Sequence, residues 1–303
     1  MKNSQNNFSP TSNIDLLELF QDYLIQSGKS SHTVKAYVSD TNAFMRWYGV
    51  TLATEATILS ANSQDIISYK NQLVRDRRKA STINRQLKSL RFTFLWAIKK
   101  GYTTNNPFEV LEKIFIREQL EIAPRWLNTN EAAALLRAVR KSENKRDIAI
   151  IQLLLGTGVR IAELAALEVG DLDIQERSGW VSVMGKGMKT RRIPLDLRTR
   201  QALTDYMRDA DLKAGKVFTG QRGPITVAGI DRLIHKYAYQ AKLQNITAHK
   251  LRHSFAKNLV DTGTPLDQVA TLLGHENLDT TRIYTRPSEQ DLEKAVRRAA
   301  GEI

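Results

Sequence analysis

The sequence contains no cysteine, which excludes a disulfide framework and a zinc site built on thiolates. It also has no run of about 18 consecutive apolar residues, the length that a membrane-spanning helix needs. The polar stretch MKNSQNNFSPTSN at the start lacks the apolar segment of a signal peptide. These absences predict a cytoplasmic protein that does not enter a membrane and whose residues 1–12 are flexible.

Acidic residues are in the minority: 32 Asp and Glu stand against 45 Lys and Arg, a formal net charge of +13. Such an excess is typical of nucleic-acid-binding proteins, although a basic protein without a polyanionic partner would have the same balance. The chain has no Walker-type phosphate loop, and its Asp residues lack metal-ligand spacing. We therefore expect neither a nucleotide nor a metal cofactor, and 303 residues suggest two domains.

Residues 13–101 predict a four-helix domain. Its segments are IDLLELFQDYLIQSG, SSHTVKAYVSDTNAFMRWYG, NSQDIISYKNQLVRD and STINRQLKSLRFTFLWAIKKG, most of which open at a polar cap or stop at a glycine. In the fourth, apolar residues recur at intervals of four, three and four from Ile83 to Phe94, which predicts one buried face. Arg85, Lys88 and Arg91 form a basic stripe on the same helix, which is either a solvated face or a DNA contact.

The second part of the chain differs in its pattern of turn signals and apolar residues. Asn-Asn-Pro and a later Pro124 are turn signals, so we predict a linker at 102–126. Helical patterns return over 127–303, interrupted by GWVSVMGKGMKTRRIPLD, whose alternation around Gly-Lys-Gly predicts an antiparallel hairpin or small meander. The predicted fold class is mainly α: an N-terminal four-helix domain and a mostly helical second domain with a small antiparallel sheet.

Four short motifs carry residues suited to phosphate chemistry. In GTGVRIAEL, Arg160 opens a helix, where it either binds an anion or pairs with Glu163, and both hold if Glu163 orients it. In HKLRHSFA, His249 and Arg252 share a helix face that could hold a phosphate, with His253 as a rival.

In GKGMKTRRIPL, Lys186 lies between two glycines. It is either part of a plain surface turn or a mobile lysine that reaches a bound ligand, with Lys189, Arg191 and Arg192 adding phosphate contacts. In LLGHENLDTTRIYTR, His275 follows a helix-ending glycine and Tyr284 comes nine residues later. A lone tyrosine usually serves packing, since its pKa near 10 makes it a poor nucleophile without nearby cations.

Taken in order, these motifs resemble the tyrosine recombinase (lambda-integrase type) family, and in size and wording its Xer-like group of bacterial, phage and transposon recombinases. The match extends from about residue 10 to the end, with SSHTVKAYVSD and STINRQLKSLRFTFLWA resembling the family's N-terminal helical, SAM-like DNA-clamp domain. The resemblance implies the catalytic residues Arg160, Lys186, His249, Arg252, His275 and Tyr284, with Glu163 behind them. It implies DNA contacts at Thr33, Lys35, Arg85, Lys88, Arg91, Lys189 and Arg191.

The resemblance also implies a mechanism. Tyr284 attacks a DNA phosphodiester to form a 3′-phosphotyrosyl bond, the two motif arginines and His275 stabilise the transition state, His249 is placed to take the tyrosine proton, and Lys186 protonates the leaving oxygen. The implied partner is double-stranded DNA with a specific recombination site. A homo-tetramer that exchanges C-terminal helices and passes through a Holliday junction would act on it, and accessory proteins are left open.

Two alternatives remain at this stage. A type IB topoisomerase uses similar catalytic residues but relaxes DNA as a monomer. A non-catalytic DNA-binding protein could retain the same fold. The complete set of six motif residues, the separate small N-terminal domain and the C-terminal helix favour the recombinase.

Overall fold

The structure, a computed structural model, describes residues 10, 12–52, 57–111, 114–116, 125–185, 189–220, 222–275, 277–287 and 289–301. The chain divides into two compact units, Met1–Leu120 and Glu121–Ile303. The prediction of a flexible segment at 1–12 falls almost wholly outside the described residues, and that of a linker at 102–126 partly so. Within the described ranges, no helix has the length and apolar character needed to cross a bilayer.

The first unit contains the four predicted helices. They are α1 (Asn13–Gln26), α2 (Ser31–Leu52), α3 (Ser63–Arg75) and α4 (Ala80–Lys99). α1 and α3 each begin at a capping box. The side chain of Ser12 or Asn62 accepts a hydrogen bond from a backbone N–H of the first turn, and the aspartate three residues later accepts one from the backbone N–H of Ser12 or Asn62. These caps satisfy backbone donors that the first helical turn would otherwise leave unpaired.

The core of the first unit is built on the predicted apolar face of α4. The side chains at the two ends of that face, Ile83 and Phe94, are 1% and 0% exposed, and they pack with Phe20 of α1. Phe108 and Ile114 are buried in the same core. Part of the segment that the sequence assigns to a linker therefore packs with the first unit, while the bounds of the linker stay a prediction.

The second unit is mostly helical and has a small sheet, as predicted. Its helices are α5 (Thr129–Arg140), α6 (Lys145–Thr157), α7 (Ile161–Ala166), α8 (Leu197–Asp209), α9 (Val227–Gln240), α10 (Ala248–Asp261), α11 (Leu266–Leu273) and α12 (Glu289–Ala299). Its strands are β1 (Leu172–Ile174), β2 (Gly179–Met184), β3 (Thr190–Pro194), β4 (Thr219–Gly220) and β5 (Gly223–Pro224). The predicted short helix near 278–286 consists of two 3₁₀ turns, Leu278–Thr280 and Arg282–Thr285.

The predicted hairpin forms β2 and β3 of a three-stranded antiparallel sheet in the order β1-β2-β3. Val181 and Val183 of β2 are buried while Trp180, Ser182 and Met184 are not, which is the alternation expected of a sheet with one covered face. Beyond β2, the backbone N–H of Gly185 donates to the carbonyl of Lys189 at 2.8 Å. Residues 186–188, the tip of this hairpin, lie outside the described residues.

Two helices end at left-handed glycines, and these ends shape the site described below. α6 is capped by Gly158 with φ +61° and α11 by Gly274 with φ +66°, a conformation that favours glycine. At Gly158 an added Cβ would also lie 2.5 Å from the ring of Phe255. Arg160 comes two residues after Gly158 and His275 directly after Gly274, so the helix ends determine where both side chains start.

Lys257 of α10 connects the beginning and the end of the second unit. Its nearly buried ammonium pairs with Asp261 at 2.5 Å and with Asp291 of α12 at 3.4 Å. The same ammonium lies 5.1 Å from the centre of the Trp126 ring. The C-terminal helix therefore contacts its own chain through this lysine.

Candidate active site

A cleft of about 520 Å³ opens in the second unit where α7, the ends of β2 and β3, and the end of α11 meet. It is lined by Arg160, Gly185, Lys189, Thr190, Arg191, Gly274, His275, Asn277 and Thr280. Among these described residues the permanently charged side chains are all cationic. The cleft is therefore suited to an anion, which fixed cations stabilise strongly where water is partly excluded.

Arg160 is held by Glu163, as one of the two predicted readings requires. The Arg160 backbone N–H donates to Glu163 Oε2 at 2.7 Å and its Nη1 donates to Oε1 at 2.9 Å. Nη2 donates to the carbonyl of Gly274 at 3.3 Å, and the side chain remains 43% exposed. The guanidinium is thus oriented from behind and still open to the cleft, so the pairing with Glu163 is compatible with anion binding.

Arg252 is buried, in contrast to Arg160. Only 3% of it is exposed, and its two terminal nitrogens donate to the carbonyls of Gly158 at 2.7 Å and Leu273 at 2.6 Å. Burial, with Arg160 nearby, lowers the pKa of Arg252 to about 10, so the group stays charged at neutral pH. One guanidinium therefore joins the carboxyl ends of α6 and α11 beneath the cleft.

The two predicted motif histidines are both neutral at physiological pH. His249 is exposed on α10; desolvation and then the charges of Arg252 and Arg160 lower its pKa. For His275, burial followed by the same arginines lowers the pKa to about 4. The Nδ1 atom of His275 shares a 2.9 Å hydrogen bond with the buried Thr281 hydroxyl, which fixes the ring at the cleft.

Tyr284 is buried rather than exposed, and its hydroxyl is held by His253. The hydroxyl lies 2.9 Å from His253 Nδ1, and the two residues are 1% and 5% exposed. Burial raises the pKa of Tyr284, opposed by Arg252 and Arg160, and burial lowers that of His253 to about 4. A neutral imidazole therefore contacts a neutral phenol, and the histidine that the sequence treats as a rival is the one at the tyrosine.

His249 contacts this pair from the other side. Its ring meets the ring of His253 edge to face, with centroids 4.1 Å apart. No hydrogen bond from His249 to the Tyr284 hydroxyl is found among the described residues, whereas His253 makes one. The prediction that His249 takes the tyrosine proton thus lacks a direct contact in this structure.

The hairpin residues have mixed placements. Lys186 lies outside the described residues, but Gly185 and Lys189 on either side of the tip line the cleft. Arg191 lines the cleft too, yet its guanidinium is paired with Glu163 at 2.7 Å. Arg192 points the other way, 3.1 Å from Asp173.

The residues predicted to contact DNA in the first unit are only partly free of other partners. Arg85 is ion-paired with the buried Asp40, and the Lys88 ammonium lies 6.0 Å from the centre of the Phe115 ring. Arg91 is exposed on the same helix. The stripe is therefore partly engaged within the unit, and its DNA contacts stay a prediction.

Thr33 and Lys35, the other two predicted DNA contacts of the first unit, lie in the first turns of α2. The Thr33 hydroxyl shares a 2.8 Å hydrogen bond with Ser30, the residue before the helix, and Lys35 is exposed.

In the part of the chain that the structure describes, no three His, Asp or Glu side chains are placed to hold a metal ion.

Comparison with known sequences assigns the chain. The sequence profile described as "Phage integrase family" matches residues 125–291, and that of "Phage integrase, N-terminal SAM-like domain" matches residues 17–101. The chain belongs to the phage integrase family. It is 32% identical over 300 residues to tyrosine recombinase XerC of Pediococcus pentosaceus, covering 94% of this chain and 97% of that protein. It is 33% identical over 296 residues to XerC of Corynebacterium efficiens, covering 94% and 91%.

The family's solved structures share this fold. The XerH recombinase in a post-cleavage complex with a palindromic difH substrate superposes with a TM-score of 0.77 at 21% identity, covering 95% of this chain and 85% of that one. A lambda integrase dimer bound to a COC′ core site gives 0.69 at 18% identity, covering 89% and 76%. The predicted resemblance is confirmed, and with it the class of enzyme: a site-specific recombinase of the tyrosine type.

Proposed function

We propose that this member of the phage integrase family cleaves and rejoins DNA strands through a covalent bond between Tyr284 and a 3′-phosphate. The observation that carries the proposal is a tyrosine hydroxyl that the positive charges of Arg252 and Arg160 reach, with Arg160 lining a cleft whose permanent charges, among the described lining residues, are all cationic. A phosphodiester gains negative charge in its transition state, so such a cleft favours its cleavage. Related recombinases bound to difH and COC′ DNA support double-stranded DNA as the partner.

In the proposed reaction, the Tyr284 oxygen bonds to the scissile phosphorus and the bond from phosphorus to the 5′-oxygen breaks. The tyrosine proton leaves to a base, and the departing 5′-oxygen receives a proton from Lys186. The free 5′-hydroxyl of another strand then attacks the phosphotyrosine and releases Tyr284. Because the covalent bond conserves the energy of the phosphodiester, the cycle consumes no nucleotide.

The geometry supports separate roles for the remaining groups. Arg160, exposed and oriented by Glu163, would contact a non-bridging oxygen, and the buried Arg252 would add a fixed positive charge beneath it. If the Thr281 hydroxyl donates to Nδ1 of His275, the other ring nitrogen carries the proton and can donate to the phosphate.

His253 is the nearest described acceptor for the proton of Tyr284. Its low pKa makes it a weak base, but the anionic phosphate offsets the neighbouring cations that help to lower that pKa. We therefore assign to His253, rather than His249, the task of orienting the hydroxyl and accepting its hydrogen bond.

We propose that four copies assemble on two DNA sites in the cytoplasm, with a Holliday junction between two rounds of strand exchange. α12 supports such an assembly because Leu292 and Val296, one turn apart, are 47% and 69% exposed. A groove of about 490 Å³ offers the helix of a second copy an apolar site. Its apolar side chains include Leu155, Ile193, Pro194, Leu195, Phe255, Leu259 and Leu272. Charged substitutions at Leu292 and Val296 should abolish tetramers on DNA in analytical ultracentrifugation while leaving single-site binding.

The test of the catalytic proposal is a covalent trap. The wild-type protein first selects its DNA from a random-sequence duplex pool, and the selected duplex is then nicked beside the cleavage position so that the cleaved end diffuses away. A protein–DNA adduct should appear on a denaturing gel with the wild type and not with Tyr284→Phe. Absence of a wild-type adduct, or an adduct with Tyr284→Phe, would reject the proposal. Relaxation of supercoiled plasmid without joining of two sites would favour the type IB alternative.

A further inference from the structure

The guanidinium of Arg191 uses all three of its nitrogens inside the protein. Nη1 and Nη2 donate to Glu163 Oε1 and Oε2 at 2.9 and 2.7 Å, a bidentate pair, and Nε donates to the carbonyl of Leu272 at 2.9 Å. The side chain is 11% exposed and that of Glu163 is 6% exposed. A strand residue with these contacts is built into the interior, although it reaches the wall of the cleft.

Glu163 is the point at which two arginines meet. Its carboxylate receives two bonds from Arg191 and two from Arg160, one of these from the backbone N–H. Burial alone would raise the pKa of Glu163, but the hydrogen bonds from Arg191 and Arg160 lower it, so the carboxylate stays charged. Removal of Arg191 would leave Glu163 with a single cationic partner and free to follow the more exposed Arg160.

Gly274 provides the third contact of the same side chain. A Cβ added at Gly274 would lie 3.0 Å from both Cδ and Nη1 of Arg191, so the arginine lies directly against the glycine backbone. The Gly274 carbonyl in turn accepts a bond from Arg160, and His275 is the next residue. Arg191 therefore joins its own strand, which leads from the hairpin tip, to the helix that begins after Arg160 and to the turn that presents His275.

We propose that Arg191 is a positioning residue that fixes the β2–β3 hairpin against α7 and the end of α11, and that it is not a DNA phosphate contact. The inference rests on the proposed function, because the groups it aligns are the ones that would act on the scissile phosphate. Because this one side chain contacts several segments, it sets the distance between the hairpin that carries Lys186 and the site of Arg160. A displacement of about 1 Å in such an arrangement can cost about a hundredfold in rate.

Two substitutions separate positioning from charge. Arg191→Met keeps most of the side-chain length and removes all donors, and Arg191→Lys keeps the charge but cannot form the bidentate pair. Arg192→Met is the matched control, since Arg192 is the next residue on the same strand, is 56% exposed and pairs with Asp173 on the other face. The probe is the duplex that the wild-type protein selects from a random pool, nicked for trapping.

Binding and cleavage should respond differently. For Arg191→Met we expect single-turnover adduct formation to fall about a hundredfold, while the slope of log Kd against log salt stays at the wild-type value. A phosphate contact would instead reduce that slope by about one. Arg191→Lys should resemble Arg191→Met in cleavage, and Arg192→Met should resemble the wild type.

A sulfur-substituted substrate provides a readout that a general loss of stability would not change. On DNA with a 5′-phosphorothiolate, whose leaving sulfur needs no proton, Arg191→Met should regain at least about tenfold of its deficit relative to the wild type, because misplacement of Lys186 no longer matters. A reduced salt slope, or wild-type cleavage by Arg191→Lys, would overturn the inference, as would an equal deficit on both substrates.

If Arg191→Met does not fold, Arg191→Lys decides between the two roles. A wild-type protein that forms no adduct refutes the proposed function, whereas a normal adduct yield from Arg191→Met refutes only the role of Arg191.

Discussion

Replacing Arg252 by alanine should destabilise the second unit as well as stop catalysis. The buried guanidinium donates to the carbonyls of Gly158 and Leu273, and no other described side chain reaches these two atoms. Each buried acceptor left without a donor costs about 1–3 kcal/mol, so the substitution should cost about 2–6 kcal/mol. That is a large part of the roughly 5–15 kcal/mol that stabilise a typical domain.

Arg160→Ala is the matched comparison. Its side chain is exposed, its backbone bond to Glu163 does not depend on the side chain, and Arg191 continues to pair with Glu163. The loss of such an exposed pair costs about 0–1 kcal/mol. Both arginines are proposed to favour the phosphate through their positive charge, but their substitutions should differ by several kcal/mol in their effect on stability.

Hydrogen exchange measured by mass spectrometry can report this difference without DNA. Amides at the ends of α6 and α11 should exchange at least about thirtyfold faster in Arg252→Ala than in the wild type, by the relation of 1.4 kcal/mol to a factor of ten. Their exchange rates should change little in Arg160→Ala. In Arg252→Lys the rates should lie between those of the wild type and of Arg252→Ala, since one ammonium can donate well to only one of the two carbonyls. If Arg252→Ala exchanges like the wild type at these helix ends while losing cleavage, the structural role assigned to Arg252 is wrong.

Three further predictions concern the residues around the tyrosine and the cleft. His253→Phe should slow adduct formation about tenfold or more in single-turnover gels, because it leaves the buried hydroxyl of Tyr284 without its partner; an unchanged rate would assign the contact to packing alone. The pKa of His253 and of His275 is lowered to about 4 in the folded chain, so the unfolded chain binds more protons than the folded one between about pH 6.5 and 4. The free energy of unfolding should therefore decline as the pH falls through that window. Chemical unfolding that shows no such decline would contradict the burial of these two histidines. Gly274→Ala should impair both stability and cleavage, since φ is +66° and the new methyl would press on Arg191, and full activity of this variant would show that the contact can relax.

The sequence was sufficient for the fold class and the family, because their signals are local or ordered along the chain. The apolar face of α4, the alternation of the hairpin and the helix-ending glycines each follow from spacing within one segment. The burial of Arg252 could not be predicted in this way, because its acceptors, Gly158 and Leu273, come from two other helices. Contacts between distant segments depend on packing that a single sequence does not reveal.

The inward position of Arg191 has a local signal in the sequence. Arg191 has the same strand parity as the buried Ile193, so alternation favours an inward side chain over a phosphate contact on the surface. For His253, by contrast, no pattern distinguishes it from His249, since the two lie one turn apart on α10. His253 rather than His249 contacts the hydroxyl because the 3₁₀ turn that carries Tyr284 packs on the side of His253.

The pairing of Lys257 has a consequence for how readily the C-terminal tail can change its neighbour. Asp261, on the same helix, holds the lysine more closely than Asp291 does, and the Trp126 ring covers it. Departure of α12 would therefore leave the lysine still paired, with no stranded buried charge to oppose it. Of the two carboxylates that hold Lys257, α12 supplies the more distant one, so the charge of this lysine does not by itself oppose movement of the tail.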